Sequence, residues 1–127
     1  MIGRKDDQKA KALIRMSDNN LKTVDEIKLN SITASPILSI SYEALREILE
    51  AMCLMEGYRV YSHEAYTAFL KEICEFTISE KFDRLRKLRN GVNYYGSPVS
   101  INVSKEAREE VISLCKILKK KYLQHFL

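Results

Sequence analysis

Apolar positions recur at spacings of three and four over most of the chain, which is the period of an amphipathic helix. The pattern predicts five helical segments. The first is expected from near Asp6 to about Ile32, and the second from Pro36 to a left-handed cap at Gly57. The short connection after Gly57 predicts that the third helix returns antiparallel to the second.

Polar residues mark the predicted starts of the third and fourth helices. Ser62 is a good N-cap for the third helix. The sequence Thr77-Ile78-Ser79-Glu80 matches a capping box, which places the start of the fourth helix near Ser79.

The last predicted helix follows a break in the helical pattern. Gly96-Ser97-Pro98 closes the fourth helix, residues 99–103 are expected to be an extended linker, and Ser104 is expected to cap the fifth helix. Five helical segments with short connections predict an all-α fold, an up-and-down antiparallel four-helix bundle with an additional helical segment. The length predicts one domain over residues 1–127.

The composition suits amphipathic helices, with 46% apolar and 30% charged residues. No stretch reaches the roughly 18 uncharged apolar residues of a membrane span, and the start lacks the apolar run of a signal peptide. We therefore expect a cytoplasmic protein that does not engage a membrane.

The cysteines and histidines offer little for metal chemistry. Cys53, Cys74 and Cys115 are odd in number and form no CxxC pair, and we interpret them as buried thiols in a reducing compartment. With only His63 and His125 in addition, a zinc site is poorly supplied, and we expect no metal and no cofactor.

Charge is unevenly distributed along the chain. Residues 35–78 hold seven acidic and three basic residues, whereas residues 79–127 hold eleven basic and five acidic residues. This distribution suits a phosphate-binding face, charge pairing between helices or between copies, or simply a solvated mixed surface.

The predicted fourth helix contains a segment that departs from the helical pattern. Gly91 lies inside it, at a cost of about 1 kcal/mol relative to alanine. Helical spacing places Arg86, Asn90 and Asn93 on one face, where a guanidinium beside amides can hold phosphate oxygens or base edges. The same residues also suit a fraying helix C-terminus. Whether Arg89 and Asn90 face solvent or pack inward with satisfied hydrogen bonds discriminates between the two interpretations.

Three short segments of the sequence resemble the HEPN superfamily. Arg89-Asn90 followed by Tyr94-Tyr95-Gly96 is similar to the HEPN signature, in which an Arg, a polar residue and, four to six positions after the Arg, a His lie near the end of a bundle helix. The resemblance extends to Ser41-Tyr42-Glu43-Ala44-Leu45 opening the second helix, and to Gly57-Tyr58 leading into Ser62-His63-Glu64.

The resemblance covers residues 5–125 and implies an RNA-related role. Many HEPN domains resemble metal-independent ribonucleases that act as toxins or defence effectors, and others are similar to partners of minimal nucleotidyltransferases or only bind. Carried over, the motif places Arg89 on the phosphate and Asn90 as the polar residue, with Tyr94 where the histidine is expected.

The missing histidine argues against efficient catalysis. Metal-free RNA cleavage needs a proton acceptor for the 2′-hydroxyl, and a tyrosine such as Tyr94 is a poor base at neutral pH. His63 lies at a separate helix start, where we expect a surface or capping role.

Three functions remain open. The leading hypothesis is an RNA- or nucleotide-binding HEPN-like domain that is catalytically weak or inactive and partners a minimal nucleotidyltransferase in a toxin-antitoxin or defence system. The alternatives are an active metal-independent endoribonuclease using Arg89, Asn90 and Tyr94, and a structural helical adaptor whose acidic middle engages another protein.

The fourth helix also carries the candidate binding and interface residues. The expected RNA or phosphate contacts are Arg84, Arg86, Lys87, Arg89 and Asn93. A symmetric homodimer is expected through Gly91, which allows close helix approach, and through Tyr94 and Tyr95 as interface anchors. The resemblance implies that two copies of Arg89 converge on one phosphate across the dimer cleft.

Overall fold

The computed structural model describes residues 4–127, with side chains from Asp6 onward. Within that range the chain forms five α-helices and a short 3-10 turn, and it contains no strand, so the predicted all-α class is confirmed. The elements are α1 (Arg4–Asp25), α2 (Ala34–Met55), α3 (Glu64–Glu72), α4 (Phe76–Tyr95), α5 (Ile101–Tyr122) and the turn Gln124–Phe126. No helix among the described residues is long and apolar enough to cross a membrane.

Helix α2 lies at the centre of the helical bundle and contacts each of the other four helices. Thirteen of its 22 residues are buried, because apolar side chains occupy most of its circumference rather than one stripe. Its large, fully buried apolar and aromatic side chains are Ile37, Leu38, Tyr42, Leu45, Ile48 and Leu49. Truncating one such leucine to alanine typically lowers the free energy of unfolding by about 2–5 kcal/mol, so burial of α2 contributes much of the stability of the fold.

Small hydroxyl side chains hold α1 and α5 against α2. Ser17 on α1 donates a hydrogen bond to the carbonyl oxygen of Ala44 at 2.7 Å, and Ser104 on α5 donates to that of Ala34, also at 2.7 Å. Both serines are fully buried. A short side chain bonded to the neighbouring backbone permits close helix packing, and it satisfies the two buried hydroxyls of Ser17 and Ser104.

Helix α1 ends at Asp25, seven residues before the predicted end at Ile32. The intervening segment is organised by side chains that bond the local backbone. The Asn30 amide oxygen accepts from the amide nitrogens of Ile32 and Thr33, and the Thr33 hydroxyl donates to the Lys28 carbonyl. Asparagine and threonine offer the backbone an alternative to helical bonding, which ends the helix although the apolar spacing continues.

The predicted start of α4 near Ser79 is wrong, because the helix begins at Phe76 and no capping box forms. The Ser79 hydroxyl instead donates to the Thr67 carbonyl oxygen of α3 at 2.9 Å, across 12 residues. Thr77 and Glu80, which the box pattern pairs, both lie inside the helix.

The predicted extended linker at residues 99–103 is also wrong in its second half, since α5 begins at Ile101. The N-cap is Ser100, whose hydroxyl accepts from the Val103 amide at 3.1 Å. Ser104, the predicted cap, lies inside the helix and bonds to α2. Two serines at this spacing both satisfy the local capping signal, and the tertiary contact of Ser104 decides between them.

Three helices end in a left-handed cap: α4 at Gly96, as predicted, and α2 and α3 at two different residues. Gly57 follows α2 with φ +77°, and the Tyr58 amide donates back to the Cys53 carbonyl at 2.9 Å, which confirms the predicted cap. Cys74 follows α3 with φ +65°, and the Glu75 amide donates to the Leu70 carbonyl at 2.8 Å. A side chain is strained at this backbone conformation, whereas glycine is not.

The prediction of three buried thiols is wrong for one of them. Cys53 and Cys115 are buried, and burial raises the pKa of each thiol to about 12. Cys74 is exposed because the left-handed cap turns it out of the helix that its apolar neighbours predict.

Replacing Cys74 with glycine is expected to raise the free energy of unfolding by about 1 kcal/mol, because it relieves left-handed strain that exceeds the added entropy of the unfolded chain. Chemical denaturation followed by circular dichroism measures this change. Cys74→Ala is the matched control, since it removes the thiol but keeps the strained Cβ. A gain of equal size in both variants would show that the thiol, and not the backbone, is responsible.

Candidate functional site

An aromatic cluster fixes the α3–α4 pair against α2. The Tyr42 ring stacks on Phe82 with centroids 5.5 Å apart and on His63 at 5.7 Å. Tyr66 meets Phe82 edge-to-face at 6.0 Å. Such pairs contribute about 0.5–1.5 kcal/mol each beyond their buried area, so the cluster defines the position of the α3 N-terminus.

Arg89 of α4 packs inward onto this cluster. Its guanidinium carbon lies 4.8 Å from the centre of the Tyr42 ring, and its Nη2 is 2.5 Å from His63 Nδ1. The Tyr42 hydroxyl lies 2.8 Å from the same ring nitrogen. Arg89, His63 and Tyr42, hereafter the polar centre, therefore join three helices through one shared acceptor atom.

The protonation of the polar centre follows from its donors. Arginine carries only donors, so His63 Nδ1 accepts and the ring proton belongs on Nε2. Burial raises the pKa of Tyr42 to about 12, which keeps its hydroxyl protonated and able to donate. Burial, followed by the charges of Arg89 and Arg46, lowers the pKa of His63 below its ordinary value. His63 is accordingly neutral at pH 7.

Arg89 is incompletely paired in this arrangement. Two donors share the single lone pair of His63 Nδ1, and the Arg89 Nε is buried without an acceptor in the described part of the chain. Arg89 also forms no ion pair with any side chain from Asp6 onward, whereas Arg46 binds Glu43 and Glu50 at 2.5 and 2.6 Å. A buried donor without a partner typically costs about 1–3 kcal/mol, so this guanidinium favours an additional acceptor.

A groove of about 290 Å³ gives access to Arg89. Side chains of α1, α2 and α4 line it, including Asn20, Ser39, Glu43 and Asn93 beside Arg89. The groove thus presents one cation, two amides and a hydroxyl, with a single carboxylate at its wall. Groups of this kind bind phosphate oxygens, sugar hydroxyls and base edges.

The other predicted phosphate contacts do not join this groove. Arg84 pairs with Glu110 at 2.8 Å and, with Lys87, lines a separate apolar groove of about 570 Å³. Arg86 is only 11% exposed, because Asp83 holds it at 2.8 Å and Glu64 approaches at 3.5 Å. Lys87 binds the same Asp83 at 3.0 Å. Arg84, Arg86 and Lys87 therefore each have an acidic partner, whereas Arg89 has none among the described side chains.

The remaining predicted residues lie near the end of α4. Asn90 is half-buried, whereas Tyr94 and Tyr95 are 71% and 81% exposed. A Cβ added to Gly91 would meet only the Ser97 Cβ, at 3.9 Å. The close approach that would require glycine at position 91 is thus not found within the described chain.

His63 is the residue whose importance the sequence reasoning missed. The expected capping role is wrong: His63 occupies the N-cap position of α3 without a side-chain cap bond, and the predicted cap Ser62 precedes it. The resemblance to HEPN domains could have identified His63, because each of the three resembling segments contributes one side chain to the polar centre. Comparison with protein-family models and with curated proteins finds no match for the chain, so the geometry carries the interpretation.

The His63 ring is expected to titrate below its ordinary value of 6.5. Proton-detected NMR of the histidine rings measures the midpoint, and the His63→Gln spectrum identifies the signal. Arg89→Gln is expected to move the midpoint upward, because it removes a positive charge, but not fully to 6.5, because burial remains. A midpoint at or above 6.5 in the wild type would contradict the contact with Arg89.

The same shift makes stability dependent on pH in a defined direction. The folded state binds the His63 proton more weakly than the unfolded state, so stability is retained above pH 6.5 and falls as the pH decreases toward the lowered pKa. His63→Gln is expected to remove this part of the pH dependence.

Proposed function

We propose that the chain is a HEPN-like domain that binds single-stranded RNA or a nucleotide, with Arg89 as the principal phosphate contact. The single observation that carries the proposal is that Tyr42, His63 and Arg89, one from each resembling segment, meet in the fold. Arg89 has no carboxylate partner among the described side chains. The groove beside Arg89 supplies Ser39 and Asn93 for sugar or base contacts. The Asn20 amide oxygen is a further acceptor there, since the nitrogen of that amide donates to Glu47 at 2.8 Å.

A phosphate oxygen is a better acceptor for Arg89 than the shared imidazole nitrogen. Bonds between a guanidinium and a phosphate are charge-assisted and often bidentate, so they satisfy two donors at once. RNA binding would therefore relieve the incomplete pairing of Arg89, and part of the affinity would come from that relief.

The polar centre supports the expectation of weak or absent catalysis. A general base needs a free lone pair, and that of His63 Nδ1 is occupied by Arg89 and Tyr42. Tyr94 lies in the exposed last turn of α4 and forms no hydrogen bond to Arg89 within the described residues. The proposed phosphate contact at Arg89 thus has no general base with a free lone pair beside it.

The second candidate is a metal-independent endoribonuclease, favoured by the contact between Arg89 and His63. If phosphate draws the guanidinium away and the Tyr42 hydroxyl also turns to another acceptor, Nδ1 becomes free to accept the 2′-hydroxyl proton. A second protonated group must then donate a proton to the leaving oxygen. Cleavage of RNA in the presence of a chelator, lost in both Arg89→Gln and His63→Gln, would replace the binding proposal with this one.

The proposal includes an arrangement and partners drawn from the resemblance. Helices α1, α2, α4 and α5 are taken as the up-and-down bundle, with α3 as the additional segment. A minimal nucleotidyltransferase is the proposed protein partner, within a toxin-antitoxin or defence system. The homodimer is proposed to use the exposed end of α4, where Tyr94 and Tyr95 lie beside the open side of Gly91.

Fluorescence anisotropy with a labelled single-stranded RNA tests the binding proposal. Arg89→Gln is expected to weaken binding about tenfold or more, because it removes a charged donor from the phosphate. Arg15→Gln, an exposed arginine of α1 outside the groove, is the charge-matched control and is expected to have a smaller effect. Affinity is expected to fall as salt rises. Equal effects of the two substitutions, or no binding at low salt, would overturn the proposal and favour a structural adaptor.

Light scattering behind a sizing column tests the dimer. Wild type is expected at twice the chain mass, more so with phosphate, since two Arg89 guanidinium groups repel each other without an anion. Gly91→Leu is expected to weaken the dimer by steric overlap, whereas Gly91→Ala should have a smaller effect and stabilise the monomer by about 1 kcal/mol. A monomer at every concentration, with or without phosphate, would refute this part of the proposal.

A further inference from the structure

A third and larger cavity is bordered by His63. Its volume is about 810 Å³, and it is formed by the connection between α2 and α3 together with parts of α1 and α2. This space, hereafter the connection cavity, falls within the range of about 300–1,000 Å³ that is usual for small-molecule sites. His63 borders it while contacting Arg89, so an RNA at Arg89 would have this cavity as its neighbour.

Aromatic side chains surround the connection cavity. Tyr66 is buried, and Tyr58 is held edge-to-face against Phe69 at 5.3 Å. Tyr61 differs from both, since it is 88% exposed and its ring stacks on no other aromatic ring in the described range. An exposed ring at the edge of a preformed cavity is suited to stacking on a planar ligand.

The charges of the cavity wall nearly cancel. Arg46 is paired with Glu43 and Glu50, and Lys9 approaches Glu50 at 3.8 Å. The one basic side chain of the wall without an ion pair from Asp6 onward is the exposed Arg59, two positions before Tyr61. Such a wall suits an uncharged heterocycle, and the cation beside it suits an adjacent phosphate.

We propose that the connection cavity holds one unpaired base of the bound RNA, stacked on Tyr61, while Arg59 and Arg89 contact the flanking phosphates. The inference rests on the proposed RNA-binding function. Stacking on an aromatic ring does not depend on the identity of the base, so the cavity contributes affinity with little sequence preference. It selects single strands, because a paired base cannot leave its helix without loss of stacking and pairing.

Single-stranded RNA carrying one 2-aminopurine tests the proposal, because the fluorescence of this base changes when it stacks. Tyr61→Ala is expected to weaken binding about 5- to 150-fold and to reduce the fluorescence change. Tyr61→Phe keeps the ring and is expected to bind like the wild type. Phe76→Ala removes a ring that is 59% exposed and outside the cavity, and it serves as the matched control. Circular dichroism verifies that each variant is folded.

The outcomes separate this inference from the function on which it rests. If Arg89→Gln weakens binding but Tyr61→Ala does not, the base site is refuted and the RNA-binding function stands. Equal loss in Tyr61→Ala and Tyr61→Phe would assign the effect to the hydroxyl and also refute stacking. Duplex RNA bound as tightly as the single strand would exclude an inserted base. If the wild type binds no RNA, both proposals fail.

Discussion

The enclosure of α2 by the other four helices is the constraint on which the remaining structure depends. Its side chains are buried on most sides, so each neighbour must present an apolar stripe toward it and a polar face outward. This requirement places Tyr42 inside the protein at a point where α3 and α4 also meet. A hydroxyl buried there needs a partner, and His63 of the α3 start supplies it.

The polar centre is thus a product of core packing as much as of surface chemistry. Arg89 reaches His63 because Phe82, two turns earlier on the same helix, is stacked on Tyr42. Rigid aromatic neighbours hold the guanidinium in place without a carboxylate, unlike Arg46, which two glutamates neutralise. An arginine fixed by stacking retains its charge for a ligand, and this distinguishes it from the ion-paired cations of α4.

The helices could be predicted because their signal is local and repeated over several turns. The ends marked by Gly57 and Gly96 could also be predicted. The end of α1 and the start of α5 could not, since single polar residues decide them and each had a competing partner: Asn30 formed its own turn, and Ser104 bonded to a neighbouring helix. The side-chain contacts of the candidate site could not be predicted either. Arg89 was identified from its motif, but its contact with His63 spans 26 residues, and no local pattern encodes such a distance.

The hydrogen bond from Ser104 to Ala34 spans 70 residues of sequence, and this separation bears on the order in which the protein assembles. Helices α1 and α2 are consecutive, as are α3 and α4, so each pair can meet soon after synthesis at a small cost in loop entropy. The face of α2 that packs against α5 stays uncovered until α5 leaves the ribosome, long after α2 has been synthesised. During that interval an apolar surface is available to chaperones or to a neighbouring nascent chain, and docking of α5 is the step that withdraws it.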